Sequence, residues 1–421
     1  MQCLTMSIFR NIYEAMLDVA YIWRQEMRQM VRDEGVLIFL ILVPLLYPLL
    51  YSWIYNNEVV REVPVVVVDQ SHSSLSREFI QKCDAAPDVR VIGHAADLDE
   101  ARSLVSRQVA KGVYLIPSDF DTHINRLEQA TVSVYCDMSL MLAYKAVYQT
   151  AQTVSQLMGA EIQTKLGQHF TAREEQIAAR PLDFDEVPIF NPTGGYGSFI
   201  IPAVLMLIIQ QTLVLGIGLS AGTAREDNRY QMLIPINRHY HGMLRIVFGK
   251  GLAYFMLYLV MTAYLVLVVP RLFHFTAIGR WPDLLAFLLP YLLACIFFGM
   301  TVSCIIRYRE NVMLFIVFVT LPLLFLSGVS WPQSSIPGFW QGVSWLFPST
   351  FGIRGFVRIN EMGGTLSDVI PEYRSLWLQA AVYFSAACLV YRYQIGLARQ
   401  VARDRLAEMK ERKARRLASK E

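Results

Sequence analysis

The chain has 421 residues, 54% hydrophobic and 17% charged, with a formal net charge of +3. Charge is sparse against the roughly 25% of an ordinary soluble domain, and the apolar residues fall in long runs; this excludes a soluble globular protein and implies a polytopic membrane protein. Six cysteines, Cys3, Cys83, Cys136, Cys295, Cys304 and Cys388, lack the paired spacing of a metal or redox site, and no nucleic-acid partner is expected.

From Ser7 to Asp33 the residues Ile8, Ile12, Met16, Val19, Trp23, Met27 and Met30 recur at three- and four-residue steps. Arg10, Glu14, Asp18, Arg24, Arg28 and Arg32 take the other side. An apolar run follows directly, which favours a helix on the membrane surface over one packed on a soluble core. Trp23, Glu26, Arg28 and Arg32 are its candidate interfacial residues. No small-residue cleavage site follows, so no signal peptide is expected.

Val36 to Tyr55 reads as the first span, with Pro44 and Pro48 predicting kinks and Tyr47, Tyr51, Trp53 and Tyr55 an aromatic belt. Four short β-branched runs come next, Val63 to Val68, Val89 to Ile92, Gly112 to Ile116 and Thr131 to Tyr135. They alternate with helical stretches, which predicts an α/β domain. A long helix from Ser139 to about Leu166 leads back, and Asn191-Pro192-Thr193-Gly194-Gly195 is the expected re-entry turn. Cys83 and Cys136 belong to this segment, as a bridge or as two buried thiols.

The remaining spans are Phe199 to Leu219, Leu252 to Val269, Leu284 to Ile306, Val312 to Val329 and a weaker sixth at Leu376 to Tyr391. Ser220-Ala221-Gly222-Thr223 is read as a break opening a charged connection to Gly249-Lys250-Gly251. Residues 331–374, rich in Trp, Phe and Pro, are too apolar for a loop and too broken for a span; short re-entrant helices are expected. The tail after Arg392 is strongly basic, and either contacts anionic lipid or forms a solvated helix. Basic residues gather before the first span, between the second and third, after the fourth and after the sixth, which predicts both termini inside and the α/β domain outside.

The expected division is therefore an amphipathic helix (1–34), a first span (35–55), an extracytoplasmic α/β domain with its long helix (56–196), five further spans (197–394) and a basic tail (395–421). The five spans include a cytoplasmic connection at 220–250 and the re-entrant segment at 331–374.

Chemistry is conspicuous by what is missing. No phosphate-binding loop, HExxH, paired Cys-x-x-Cys or Gly-x-Ser-x-Gly occurs. His239 and His241 have no evident third ligand, so no metal is expected. The spans hold almost no charge, unlike those of ion-coupled transporters. Gln210, Gln211 and Thr212, with Thr320 and Ser327, are the polar exceptions: either they join helices by hydrogen bonds or they line a path for amphipathic or apolar cargo. Gly218 and Gly222 form a GxxxG. A membrane sensor reading an external ligand is the main alternative, but no output domain accompanies it. A lipid-modifying enzyme lacks any assembled nucleophile or acid–base pair.

Four local patterns resemble one family, the ABC-2-type permeases, membrane subunits of ATP-binding-cassette exporters. They are Trp23-Arg24-Gln25-Glu26-Met27-Arg28 with Arg32-Asp33 and Pro44; Val65-Val66-Val67-Val68-Asp69 with Ser74-Leu75-Ser76; Gly222-Thr223 with Arg225-Glu226 and Pro235; and Leu326-Ser327-Gly328 with Pro332, Pro348 and Gly355. The third is similar to a Glu-x-Gly-Thr-x-Glu signature, although Leu219-Ser220-Ala221 departs from its charged half. The resemblance implies a type V exporter-like, six-helix permease that is not itself an enzyme and binds no cofactor. Gly222, Thr223, Arg225, Glu226 and Pro235 would dock on a separate ATPase that holds ATP and Mg. It further implies a homodimer or a heterodimer with a sister permease, in the inner membrane. The branch with a large external domain is associated with drug or lipid-like cargo, multidrug efflux, a periplasmic adaptor and an outer-membrane channel.

Overall fold

The computed structural model describes residues 2–126, 128–166, 190–191, 194–227, 233, 239–240, 242–306 and 308–418. They form two compact units, Met1–Asn56 with Ile189–Glu421, and Asn57–Pro188. Helix α1 (Gln2–Arg32) stops at Asp33, whose carboxylate accepts hydrogen bonds from the backbone N–H of Gly35 (3.0 Å) and Val36 (3.2 Å). Two of the orphan donors of the next helix, α2 (Glu34–Ile54), are satisfied in this way, so the break between the helices costs little. Within α2 the residues Ile38–Leu42 form a π-helical turn just before Pro44. The proline ring crowds the carbonyl four residues back, at Leu40, and a widened turn relieves that clash.

The second unit holds the strands β1 (Val63–Asp69), β2 (Val89–His94), β3 (Gly112–Ile116) and β4 (Ser133–Cys136). Between them run α3 (Ser74–Asp84), α4 (Leu98–Ser106) and α5 (Phe120–Asn125), and α6 (Met141–Leu166) follows β4. The sheet order is β2-β1-β3-β4; β1 runs parallel to both neighbours and β4 antiparallel to β3. The valine run of β1 is continuous because both faces are covered. Val63, Val65 and Val67 join the cluster that includes Phe79, Tyr114, Val147 and Met158, while Val66 and Val68 pack with Ala101 and Val113 beneath α4. Asp69 ends the strand by accepting from the N–H groups of Ser71 and His72 (both 3.0 Å) and from the Ser76 hydroxyl (2.8 Å), so the Asp69 to Ser76 pattern is a strand-to-helix turn. Cys83 and Cys136 are free thiols.

The first unit resumes with α7 (Tyr196–Asp227), α8 (Met243–Leu272), α9 (Trp281–Ile305) and α10 (Arg309–Leu326). A second π turn, Tyr264–Val268, precedes Pro270 in α8. Two short helices follow, α11 (Gly338–Ser344) and α12 (Pro348–Asn360), then α13 (Ile370–Ala418). Among the described residues five helices are long and apolar enough to cross a membrane: α2, α7, α8, α9 and α10. The chain is thus a multi-pass helical membrane protein. The expected sixth span and the basic tail are one unbroken 49-residue helix, α13, in which Gln379, Ser385 and Arg392 dilute the apolar content.

Helix α7 is the hub. It packs against α2, α8, α9, α10 and α12, and 94% of its membrane-length window is buried, against 17% for α10. A helix apolar on every face has to lie inside a bundle rather than at its edge.

Candidate functional site

Several charged residues of the first unit gather where α1 meets α7, α8 and α10. The expected break at Ser220 to Thr223 is absent: α7 runs straight through it to Asp227, and α8 begins at Met243, before Gly249-Lys250-Gly251. Nothing in Ala221, Gly222 or Thr223 stops a helix whose sides are all covered, so tertiary packing carries it on. Gly222, Thr223, Arg225 and Glu226 therefore stand on a rigid helix and not in a loop, while Pro235 lies outside the described residues, as do Arg229, Arg238 and His241.

Three clusters fasten α1 to the bundle. In the first, Asp18 takes His239 Nδ1 at 2.7 Å and Arg245 Nη1 at 2.5 Å, and the Tyr21 ring stacks on His239 with centroids 4.3 Å apart. Burial pushes the Asp18 carboxyl up, but the hydrogen bonds and charges of His239 and Arg245 outweigh it and leave the group below its ordinary range.

The second is buried. Glu26, 2% exposed, receives Lys250 Nζ at 2.5 Å, the Tyr254 hydroxyl at 2.7 Å and, at the limit, the Ser220 hydroxyl at 3.4 Å. One carboxylate from α1 thereby links α8 to α7.

In the third, Asp33 accepts from the Thr223 hydroxyl on α7 and from Arg309 Nη2 on α10 at 3.1 Å, in addition to capping α2. Burial raises its carboxyl, and the hydrogen bonds from Thr223 and Val36 with the Arg309 charge bring it below the ordinary value. Close approach makes the contact: a Cβ on Gly222 would lie 2.5 Å from Arg309 Cγ and 3.3 Å from Arg309 Cα. Arg225 turns inward and donates to the carbonyls of Ile306 (2.5 Å) and Cys304 (3.2 Å), closing the C-terminus of α9. Glu226 is exposed. A polar recess of about 660 Å³ opens beside the third cluster, bounded by Gln25, Gln29, Arg32, Asp33, Thr223 and Arg309.

Of the interfacial residues named from sequence, Arg28 and Arg32 are exposed, Trp23 is half-buried, and Glu26 is inside. The sequence did carry a sign of the buried pair. Glu26 stands four residues after Ile22 and four before Met30, on the apolar stripe, and Lys250 stands midway between Ile246 and Tyr254. A charge on a buried stripe needs a partner. The roles of Asp18, Asp33, Arg245 and Arg309 had no comparable local sign, since each sits where a solvated charge is ordinary.

Higher on α7, Gln210 Oε1 accepts the backbone N–H of Ser349 at 2.6 Å, at the first turn of α12. Thr212 accepts from the Tyr258 hydroxyl (2.9 Å) and donates to the Ile208 carbonyl (2.6 Å). These bonds tie α7 to α12 and α8. Gln211 is buried, and its Nε2 has no hydrogen-bond partner among the described residues. It shares a stripe with Gly218 and Gly222, which face α10, and lies seven residues before Gly218. On α10, Thr320 donates to the Ile316 carbonyl; Ser327, just past the end of the helix, donates to that of Leu324, and its own carbonyl accepts from Arg354 Nε at 3.0 Å.

The family profile described as ABC-2 family transporter protein matches residues 35–389, most of the chain. The chain belongs to the ABC-2 family. It is also similar to the Linearmycin resistance permease protein LnrN of Bacillus subtilis (strain 168), with 21% identity over 379 residues, covering 86% of this chain and 95% of the relative. The matched region of this ABC-2 permease takes in the α/β unit, the hub helix α7 and the two short helices α11 and α12. ABC-2 permeases are the membrane subunits of transporters energised by an ATP-binding-cassette ATPase, and that is the class to which this chain is assigned.

Proposed function

We propose that this permease moves an amphipathic or hydrophobic, drug- or lipid-like molecule outward, with ATP and magnesium bound and hydrolysed by a partner ATPase. The carrying observation is mechanical: Thr223 and Arg225 stand on the same unbroken helix as Gln210, Gln211 and Thr212. A push delivered near Asp227 travels along α7 without a hinge and moves it against α10, which it meets closely at Gly218 and Gly222. Exposed Arg28, Arg32 and Glu226 and the polar recess beside Asp33 form the surface on which the ATPase docks; Gly222, Thr223 and Arg225 keep that surface attached to the hub.

In this reading the Asp33 end is cytoplasmic, and α13 supplies a sixth span in its first half. Both termini lie on the cytoplasmic side of the inner membrane, and the α/β unit lies on the opposite side. The permease pairs with a second copy or a sister permease, and a periplasmic adaptor and outer-membrane channel extend the route. Its basic tail meets anionic lipid.

Co-expression with the ATPase subunit tests the assignment. Charge reversal at Arg28 and Glu226 is expected to weaken co-purification, whereas Arg225→Glu lowers stimulated ATP hydrolysis by loosening α7 from α9. Wild-type assembly and stimulation in all three variants would remove the docking surface from this end of the bundle.

A further inference from the structure

A cleft of about 540 Å³ lies within the α/β unit, between α5 with the segment leading from it to β4 on one side and α6 on the other, with Phe79 of α3 at its base. Its floor is apolar, with Phe79, Phe120 and Met158 each nearly or fully buried. Its rim is polar, and Glu128 is the one charged side chain among the described lining residues. Apolar depth with a few polar groups at the mouth, in this size range, is the make-up that small-molecule sites share.

Gly159 adds an independent observation. It sits well inside the 26-residue helix α6 and lines the cleft. Glycine is unfavourable in a helix interior, and it is ordinarily kept there for a close approach or a special backbone angle. Neither applies: its φ is not positive, and a Cβ built on it meets nothing within 4 Å. By contrast Gly112 on β3 is needed, because a Cβ there would stand 2.7 Å from Val147 Cγ1 of α6. Gly159 is exposed where it borders the cleft, so a larger side chain there would project across the cleft mouth. The bare backbone at this point leaves the mouth uncovered.

We propose that the α/β unit carries a binding site for a small molecule with an aromatic or apolar body and a protonated amine. The body lies against Phe79, Phe120 and Met158 over Gly159, and the ammonium group pairs with the Glu128 carboxylate at the rim. Nothing in this site depends on the export reading: the cleft belongs to one unit and its occupancy is a property of that unit.

The test uses the full-length protein in nanodiscs, with 1-naphthylmethylamine as probe and 1-naphthylmethanol as its uncharged counterpart. In a Gly159→Cys variant, alkylation at position 159 by N-ethylmaleimide is followed by peptide mass spectrometry. An Arg107→Cys variant is the control, at the exposed end of α4 against the opposite face of the sheet. The amine at about ten times its dissociation constant is expected to slow alkylation at 159 about tenfold and to leave 107 unchanged. Glu128→Gln is expected to bring the amine down to the effect of the alcohol. In the glycine protein the amine raises the unfolding temperature, and in Gly159→Trp, where the indole covers the cleft mouth, it does not. Equal slowing at 159 and 107, or an unchanged rate at 159, overturns the site. Equal protection by alcohol and amine overturns the cationic class. A Gly159→Trp protein still stabilised by the amine overturns the assignment of the cleft.

Discussion

Lys250 Nζ lies 2.5 Å from Glu26 Oε2, with the two residues 6% and 2% exposed, although 224 positions separate them in the chain. Neither charge is stable there alone. Removing one partner strands the other in a low-dielectric interior, at a cost of about 3–5 kcal/mol. Glu26→Gln and Lys250→Met should each lower the unfolding temperature sharply, and the double variant should cost much less than the sum. A double-mutant cycle on thermal unfolding in detergent measures this, and simple additivity would mean that the two groups do not pair.

Asp18 gives a pH dependence of definite sign. Its carboxyl titrates lower in the folded protein than its ordinary 3.8. The stabilisation is therefore complete above the ordinary carboxylate range and is lost as pH falls through the lowered folded value. Asp33 acts in the same direction. Acidification below pH about 4 should release α1 from the bundle, followed as loss of protection of α1 amides from hydrogen exchange. Asp18→Asn should lack part of that pH dependence and show weaker protection already at neutral pH.

The contact between α7 and α10 is set by the absence of a side chain at Gly222. Gly222→Val places a branched group where Arg309 Cγ and Cα already stand. Overpacking of this kind costs about 1–3 kcal/mol. The expected consequence is separation of Arg309 from Asp33, read as a lower unfolding temperature and as weaker protection of the α10 amides next to Arg309 from hydrogen exchange.

Two glycines of the α/β unit should respond oppositely to alanine. Gly112→Ala forces α6 away from the sheet and should destabilise. Gly159→Ala meets open space and should stabilise the helix by about 0.8–1 kcal/mol. Chemical denaturation followed by a probe in the α/β unit distinguishes the two signs.

Burial pushes the Cys83 thiol up to about 12, so the reactive thiolate is scarce at neutral pH. Cys83 should resist iodoacetamide in the folded protein and react fully once the chain is denatured. Rapid reaction in the native state would show that the face of the sheet under α3 and α6 opens.

Sequence alone determined what each stretch can tolerate around it. Long uncharged runs such as Phe199 to Leu219 require an apolar surround, and the valines of Val65 to Val68 require cover on both sides. Such properties are local, because transfer of a side chain from water depends on that side chain first. Where a helix stops and which charges meet depend on everything packed beside it. The tertiary structure decided that α7 passes through Gly222 to Asp227 and that Arg225 closes the end of α9. It also decided that Glu26, placed by periodicity near the membrane surface, answers Lys250 from inside. A break or a solvated charge is the default only while the neighbours are unknown; once α1, α8 and α10 surround these residues, an unmet hydrogen bond or an unpaired charge costs more than continuing the helix or turning the side chain inward.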